Sequence, residues 1–376
     1  MLLDWITARV SDQDLGADVF LLLRSLGDRI MRFNPTTRAV VWETCAWDSV
    51  RSDTHGVTFR VGSDALWIQG SPARVEGDGC NVFGGVAAQS LDPRQCIAAM
   101  LRFLFPQLAR MCFRAVPGTP QHWCALRSRV DPDRLAATHA LCRYGLPDPR
   151  QWKVTRVDVT QNYALKGLAE VRVALTTLRN LEGGRYRVSQ QQGDTIYFSH
   201  SSKMASGKVY AKGPHLEYLN RRNKGASKLY TPDEIADASK LLRFELKLGC
   251  EFFRHHPNFT PDLLRARFQT FFERMLGASA VTTDNSVLDR LMSLPNVKPG
   301  QAKAAFATWN MICSQGWQWV AEYLPRATYY RHAKLLRLAG LSDLDLSTGK
   351  VSQLRRGPLE LVPVTSWDQL SQLRAA

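Results

Sequence analysis

The chain has 376 residues, 45% apolar and 22% charged, the composition of a soluble globular protein long enough for two or three domains. A net charge of +15 and a pI of about 9.7 point to an acidic partner. No stretch reaches the roughly 18 apolar residues needed to span a bilayer, and MLLDWITARVSD lacks the basic region and apolar core of a signal peptide. The eight cysteines form no CxxC pair and no zinc-type spacing with histidine, so they read as reduced thiols of a cytoplasmic protein.

The charge is unevenly placed: net +2 over residues 1–150, +8 over 151–250 and +5 over 251–376. These three segments are read as an N-terminal α+β half, a central catalytic half and a helical region. MLLDWITARV predicts a first strand with Leu3, Trp5 and Ile6 on its buried side. Asp4 reads as an edge-strand acid facing water, ahead of any role in a site. A helix follows through Val19 to Met31. TTRAVVWETCAW, GVTFRV and ALWIQG alternate apolar and polar residues, the mark of strands in an antiparallel sheet. SPARVEGDGCNVFGG has Val82 where a third glycine of a dinucleotide fingerprint would stand, and no Lys-Ser/Thr ending of a P-loop. It reads as a turn into a helix. Pro93–Phe113 is helical in period, with a kink expected at Pro106. Residues 131–145 predict a short helix between an Asp131 cap and Gly145, and its His139 reads as a packed or surface side chain.

The central segment reads β-α-β-β-α-β. KVTRVDVTQNYA is a strand, LAEVRVALTTLRNL a helix, and YRVSQQQ, TIYFSHSS and GKVYAKG are strands. TPDEIADASKLLR opens with Thr231 as cap, Pro232 at the first position and Glu234 completing a capping box. LLRFELKLG returns as a strand. Beyond Cys250 the pattern is helical: FTPDLLRARFQTFFERML, KPGQAKAAFATWNMICSQG, then a short helix, a turn at Leu324-Pro325 and a longer helix, spaced like a helix-turn-helix. That last helix carries Arg326, Arg331, Lys334 and Arg337. Its face either meets DNA or is solvated, with Tyr330, Leu335 and Leu338 packing the other side. The tail after Lys350 offers no readable chemistry. The expected fold is α+β: an antiparallel or mixed sheet with helices on one face, then a helical C-terminal region.

Three residue sets bear on chemistry. Asp158 and Glu245 are single acids in otherwise apolar strands, and a buried carboxylate needs a cation or an arginine. Oxygen ligands suit Mg²⁺ or Mn²⁺. Arg156 and Arg243, two residues from each acid, offer an ion-pair network as the competing arrangement. Tyr210 and Lys212 lie two apart and would share a strand face, the lysine steadying a phenolate or a phosphate. Lys203, Lys208, Arg221, Arg222, Lys224 and Lys228 flank that pair with only Glu217 opposing, a placement that favours DNA over a merely solvated run.

In their order, TRVDVT, the Y-x-K strand and LLRFELKL resemble the replication initiators of filamentous phages, the gene II protein family, and are similar to plasmid rolling-circle initiators. SPARVEGDGCNVFG, LLDWITARV and LPRATYYRHAKLLRLAGL fit the same family, so the resemblance covers most of the chain. It departs at Cys80, where the family pattern has a histidine before Asn81. The histidine-hydrophobic-histidine motif of many rolling-circle initiators has no counterpart, since His255 and His256 are adjacent. The resemblance implies a metal-dependent enzyme that nicks and rejoins the plus strand at a duplex origin. Asp158 and Glu245 would be metal ligands and Tyr210 the nucleophile of a 5′-phosphotyrosyl link, with Tyr197 as the alternative. Lys212 and Arg243 would steady the phosphate. A host helicase and polymerase in the host cytoplasm would be partners, with no membrane involved. The competing class is a non-catalytic origin-binding protein or repressor. A tyrosine recombinase is disfavoured because no HxxR motif is found.

Overall fold

A computed structural model of the chain describes residues 1–26, 29–51, 56–76, 82–115, 141, 145–179, 188–222, 229–276, 284–350 and 361–372. Expectations for Cys80 and Asn81, for most of the 131–145 helix with His139, and for Lys224 and Lys228 lie outside the described residues. The strands are β1 (Leu2–Ser11), β2 (Arg29–Phe33), β3 (Val40–Cys45), β4 (Asp48–Arg51), β5 (Gly56–Val61), β6 (Ala65–Gly70), β7 (Lys153–Ala164), β8 (Val188–Gln192), β9 (Thr195–Phe198), β10 (Ala205–Ala211), β11 (Leu241–Leu248) and β12 (Val362–Val364). The protein is α+β: antiparallel pairing joins its strands wherever their register is defined, and the C-terminal region is helical.

The chain divides into two compact units. One comprises Leu2–Val159 with Leu248–Pro261, the other Thr160–Lys247 with Asp262–Ala376. The cut falls within β7, between Val159 and Thr160.

In the first unit the strand order is β4-β5-β6-β1-β7. Leu3, Ile6, Ala8 and Val10 of β1 are buried, whereas Trp5 is only half-buried and lies under the Arg156 guanidinium, 5.8 Å from its ring centre. Because β1 sits between β6 and β7, Asp4 is on an interior strand and the edge-strand reading does not hold. The helix expected to reach Met31 stops at Leu26. Met31 belongs instead to β2, which pairs with β3 as a separate two-stranded sheet. Pairing across the hairpin here overrides the helical period. Glu76, at the end of the Pro72–Glu76 helix, caps the next one: its Oε2 accepts from the Ala87 N–H at 2.8 Å. The Pro93–Ala115 helix continues through Pro106, where losing one amide donor does not end it.

In the second unit the order is β7-β11-β10-β9-β8, with β12 also on β7. Alternation assigns the two faces. Tyr163, Phe198 and Phe244 form the apolar face: Tyr163 and Phe244 meet edge to face, and Phe244 meets Phe272 of the Pro261–Leu276 helix. Gly207 is on this face because a Cβ there would lie 2.5 Å from the Phe271 ring. The opposite positions carry polar residues. The capping box at Thr231 forms as the sequence predicts, with the Glu234 N–H reaching Thr231 Oγ1 at 3.2 Å and Glu234 Oε2 accepting from the Thr231 N–H at 2.7 Å. The tail after Lys350 supplies β12, whose Val362–Val364 pair antiparallel with Asn162–Ala164. That three-residue strand, with Pro363 in its middle, has no sequence signal of its own.

The helices from Asp284 to Thr348 enclose a separate core of Trp309, Ile312, Val320, Tyr329, Ala333 and Leu336. The Pro299–Gln315 helix stops at Gly316, whose φ of 84° suits glycine. On the Arg326–Leu338 helix, Tyr329, His332, Ala333 and Leu336 are the packed residues, while Tyr330 and Leu338 are exposed. Of the three residues expected to pack, Leu335 lies against this core, partly buried, and Tyr330 and Leu338 face solvent.

Lys212 does not share a strand with Tyr210, as their spacing predicts. Instead β10 ends at Ala211 and Lys212 opens the Lys212–Arg222 helix. The next residue, Gly213, is pressed against Ser239: an added Cβ would lie 2.1 Å from its Oγ and 2.6 Å from its Cα. Gly213→Ala is therefore expected to cost about 1–3 kcal/mol by overpacking against backbone. Urea unfolding should show a lower midpoint at an unchanged slope.

Candidate active site

The polar face of the second unit's sheet is built from four adjacent strands. Asn162 comes from β7, Arg243 and Glu245 from β11, Lys208 and Tyr210 from β10, and Tyr197 from β9, directly opposite Lys208 in register. Arg243 has no solvent exposure, and its Nε donates to Asn162 Oδ1 at 2.9 Å. Lys212 also has none. Lys208 Nζ lies 3.4 Å from each Glu245 oxygen and 4.3 Å from the centre of the Tyr210 ring. Lys212 Nζ lies 6.0 Å from the same ring centre. Two lysines thus lie near the Tyr210 ring, one of them paired with Glu245, and Arg243 shares the Glu245 face of β11.

Tyr210 itself is 2% exposed, with the His215 ring packed edge-on at 5.1 Å. The Y-x-K spacing gives no hint of this cover, which the following helix provides. Tyr197 is half-buried and packs edge-on against His200. Thr160 on β7 is fully buried, and its hydroxyl meets no hydrogen-bond partner among the described residues. Sequence reasoning misses Asn162, Thr160 and His215. For the first two, the available signal is the unbroken polar run from Thr160 to Asn162 late in β7.

The two acids expected to share a metal have different partners. Arg156 grips Asp158 with two bonds, Nε to Oδ1 at 2.8 Å and Nη2 to Oδ2 at 2.6 Å, with Asp158 buried. This is the ion-pair arrangement foreseen as the competitor to metal binding. Glu245 has Lys208 as a partner, its Nζ 3.4 Å from the carboxylate. Among the described residues no group of three or more His, Cys, Asp or Glu side chains is placed to hold a metal ion.

The flanking basic residues are accessible. Lys203, Arg221 and Arg222 are exposed, the last donating to the Tyr218 hydroxyl at 2.9 Å. On the C-terminal helix Arg326, Arg331 and Lys334 are exposed beside Tyr330, and the Arg326 guanidinium sits 5.9 Å from that ring's centre. Arg337 does different work: its Nε donates to Asp343 Oδ1 at 2.7 Å, neutralising a carboxylate that is 1% exposed.

The fold and this sheet face define an α+β protein whose interior keeps lysine and arginine around a tyrosine. The chain belongs to the family described as the N-terminal part of the phage replication-associated protein, the gene II protein, whose pattern matches residues 3–269. The replication-associated protein of Enterobacteria phage fd is 22% identical over 250 residues, covering 54% of this chain and 60% of that one. The corresponding protein of Enterobacteria phage I2-2 is 24% identical over 218 residues, covering 56% and 58%. This chain therefore spans less than two thirds of the length of these relatives. A solved rolling-circle replication initiator protein from Geobacillus stearothermophilus aligns over 74% of this chain and 80% of its own, at 12% identity and a TM-score of 0.27. Among the described residues no helix is long and apolar enough to cross a membrane.

His332 yields a pH prediction. It lies on the buried side of the Arg326–Leu338 helix, with Nδ1 2.7 Å from the Thr308 hydroxyl. Burial first, and the Arg331 charge second, hold its pKa below the ordinary 6.5. The unfolded chain therefore binds this proton more readily, so the contribution is complete above about pH 6.5 and is lost as pH falls through and below it. Thermal melts between pH 7.5 and 5.5 should show less acid-side loss for His332→Asn than for the wild type.

Proposed function

We propose that this chain nicks and rejoins one strand of duplex DNA at a replication origin, starting rolling-circle synthesis of a phage or plasmid genome. The observation that carries the reading is the buried cationic face around Tyr210. Taking an ammonium or a guanidinium out of water costs several kcal/mol even after relaxation. A protein that keeps Lys212 and Arg243 fully buried within one sheet and its flanking helix gains a prearranged positive field where a phosphodiester would gain charge.

In the proposed reaction the Tyr210 oxygen gives up its proton and bonds to phosphorus. The bond from phosphorus to the 3′ oxygen breaks, and that oxygen takes up a proton to become a 3′-hydroxyl. The phosphate stays on the protein as a 5′-phosphotyrosyl ester, and attack by a 3′-hydroxyl reverses the step and closes the strand. Lys208 and Lys212 favour the phenolate, and Arg243, oriented by Asn162, meets the non-bridging oxygens. A divalent cation on this face would take the place of the Lys208 ammonium, which now sits 3.4 Å from both Glu245 oxygens. Glu245 would hold Mg²⁺ or Mn²⁺ there, and Asp158 could serve a cation only by exchanging the Arg156 guanidinium for it. Such an ion, when bound, supplies Lewis-acid charge to the phosphate. Partners in this reading are the duplex origin, the single plus strand, and a host helicase and polymerase in the host cytoplasm.

The 2% exposure of Tyr210 favours two other readings. In one, half-buried Tyr197, opposite Lys208, is the nucleophile. In the other, the chain binds the origin without cutting it. Incubation with Mg²⁺ and a supercoiled plasmid carrying the origin of the encoding replicon separates all three. The proposal expects open circles with wild type and with Tyr197→Phe, none with Tyr210→Phe, and none after chelation by EDTA. Loss of nicking in Tyr197→Phe alone moves the nucleophile. A wild-type chain that shifts origin DNA but never opens the plasmid is a binding protein.

A further inference from the structure

The β2–β3 hairpin belongs to neither site nor core. Its two strands pair only with each other, and every residue of β2 is exposed. Ile30, Met31, Phe33, Val40, Val41 and Trp42 are each between 46% and 59% exposed, an unusual load of open apolar surface for one short ribbon. Isolated two-stranded ribbons are marginal in water, yet this one has a tied tip. The Asn34 N–H donates to Ala39 O, the Arg38 N–H donates to Asn34 O, and Asn34 Oδ1 accepts from the N–H groups of Thr36 and Thr37. Arg38 sits at the tip with a φ of 54°. Arg29 is paired with Glu43, while Arg32, opposite Trp42, and Arg38 make no ion pair among the described residues.

Charge selects the occupant. The hairpin carries three arginines against one glutamate on a chain of net charge +15, so a second copy would bring like charge to like. Duplex DNA brings the opposite charge. Its major groove admits a two-stranded ribbon, and apolar side chains wedge between base steps in proteins that kink it. A five-residue strand reaches roughly 17 Å, about five base-pair steps.

We infer that the β2–β3 hairpin is a DNA-deforming arm, with Arg32 and Arg38 on phosphates and Phe33, paired with Val40 beside the tip, pressing on a base step. This rests on the DNA-binding part of the proposed function and adds a way to unstack duplex. The test uses the full chain and a 24-base-pair mixed-sequence duplex with 2-aminopurine at its centre, titrated at several salt concentrations. The arm's residues are exposed, so variants should keep the wild-type circular dichroism. R32A/R38A should flatten the plot of log affinity against log salt by about 1.8, two phosphates' worth. Phe33→Ala should keep the wild-type slope and lose most of the 2-aminopurine fluorescence rise. Wild-type values in both variants overturn the inference alone. So does a wild-type dimer in sedimentation that Phe33→Ala dissociates. A wild-type chain that binds no duplex overturns the inference and the DNA reading together.

Discussion

A guanidinium with no access to solvent constrains the second unit more than any other group. Arg243 stands mid-strand in β11, between Leu242 and Phe244 on the apolar face, so its own side chain must turn to the other side of the sheet. There it needs acceptors, and Asn162 on the adjacent β7 provides one. That bond joins two adjacent strands, and two residues further along β11 Glu245 holds Lys208 on β10. The polar face is thus a relay of short polar links across three strands. It is closed on the opposite side by aromatic contacts among Tyr163, Phe244 and Phe272. A sheet with one greasy and one charged face is a common device. Here the charged face is also covered, with Lys212 and Arg243 at no solvent exposure.

The helical region solves a related problem differently. Asp343 and Asp345 are buried at the start of the Asp343–Thr348 helix. Arg337 neutralises the first, and the second accepts from the Ser342 N–H and hydroxyl at 2.7 Å each. These are structural carboxylates with full partners, so Arg337 is committed to the bundle. Arg326, Arg331 and Lys334 on the same helix have no such duty and stay in water with Tyr330. Residues inside one helix-turn-helix spacing therefore separate by partner, a distinction that charge and period alone do not reveal.

What is legible in the sequence follows from how local the signal is. The β7 boundaries, the capping box at Thr231 and the helix-turn-helix spacing rest on contacts within a few residues or on unbroken alternation, and all three appear in the structure. β2 is hidden because RIMRF continues a plausible helix and becomes a strand only by pairing with β3. β12 is hidden because three residues carry no period, and its partner lies some 200 positions earlier. At the candidate site, alternation puts Arg243 on the face of Glu245, but it also puts Lys212 on the strand of Tyr210, where the structure has already begun a helix. It does not show that His215 covers Tyr210, that Asn162 receives Arg243, or that Asp158 is already gripped by Arg156. Those facts depend on which strands become neighbours and which helix returns over them.

The most direct measurement is a mass spectrum of the protein after reaction with a cleavable origin oligonucleotide under trapping conditions, followed by trypsin. Cleavage after Lys208 and Lys212 isolates Tyr210 on the peptide Val209–Lys212, and cleavage after Arg187 and Lys203 isolates Tyr197 on Val188–Lys203. The account predicts a nucleotide mass on the first peptide. An adduct on the second, or on neither, contradicts it.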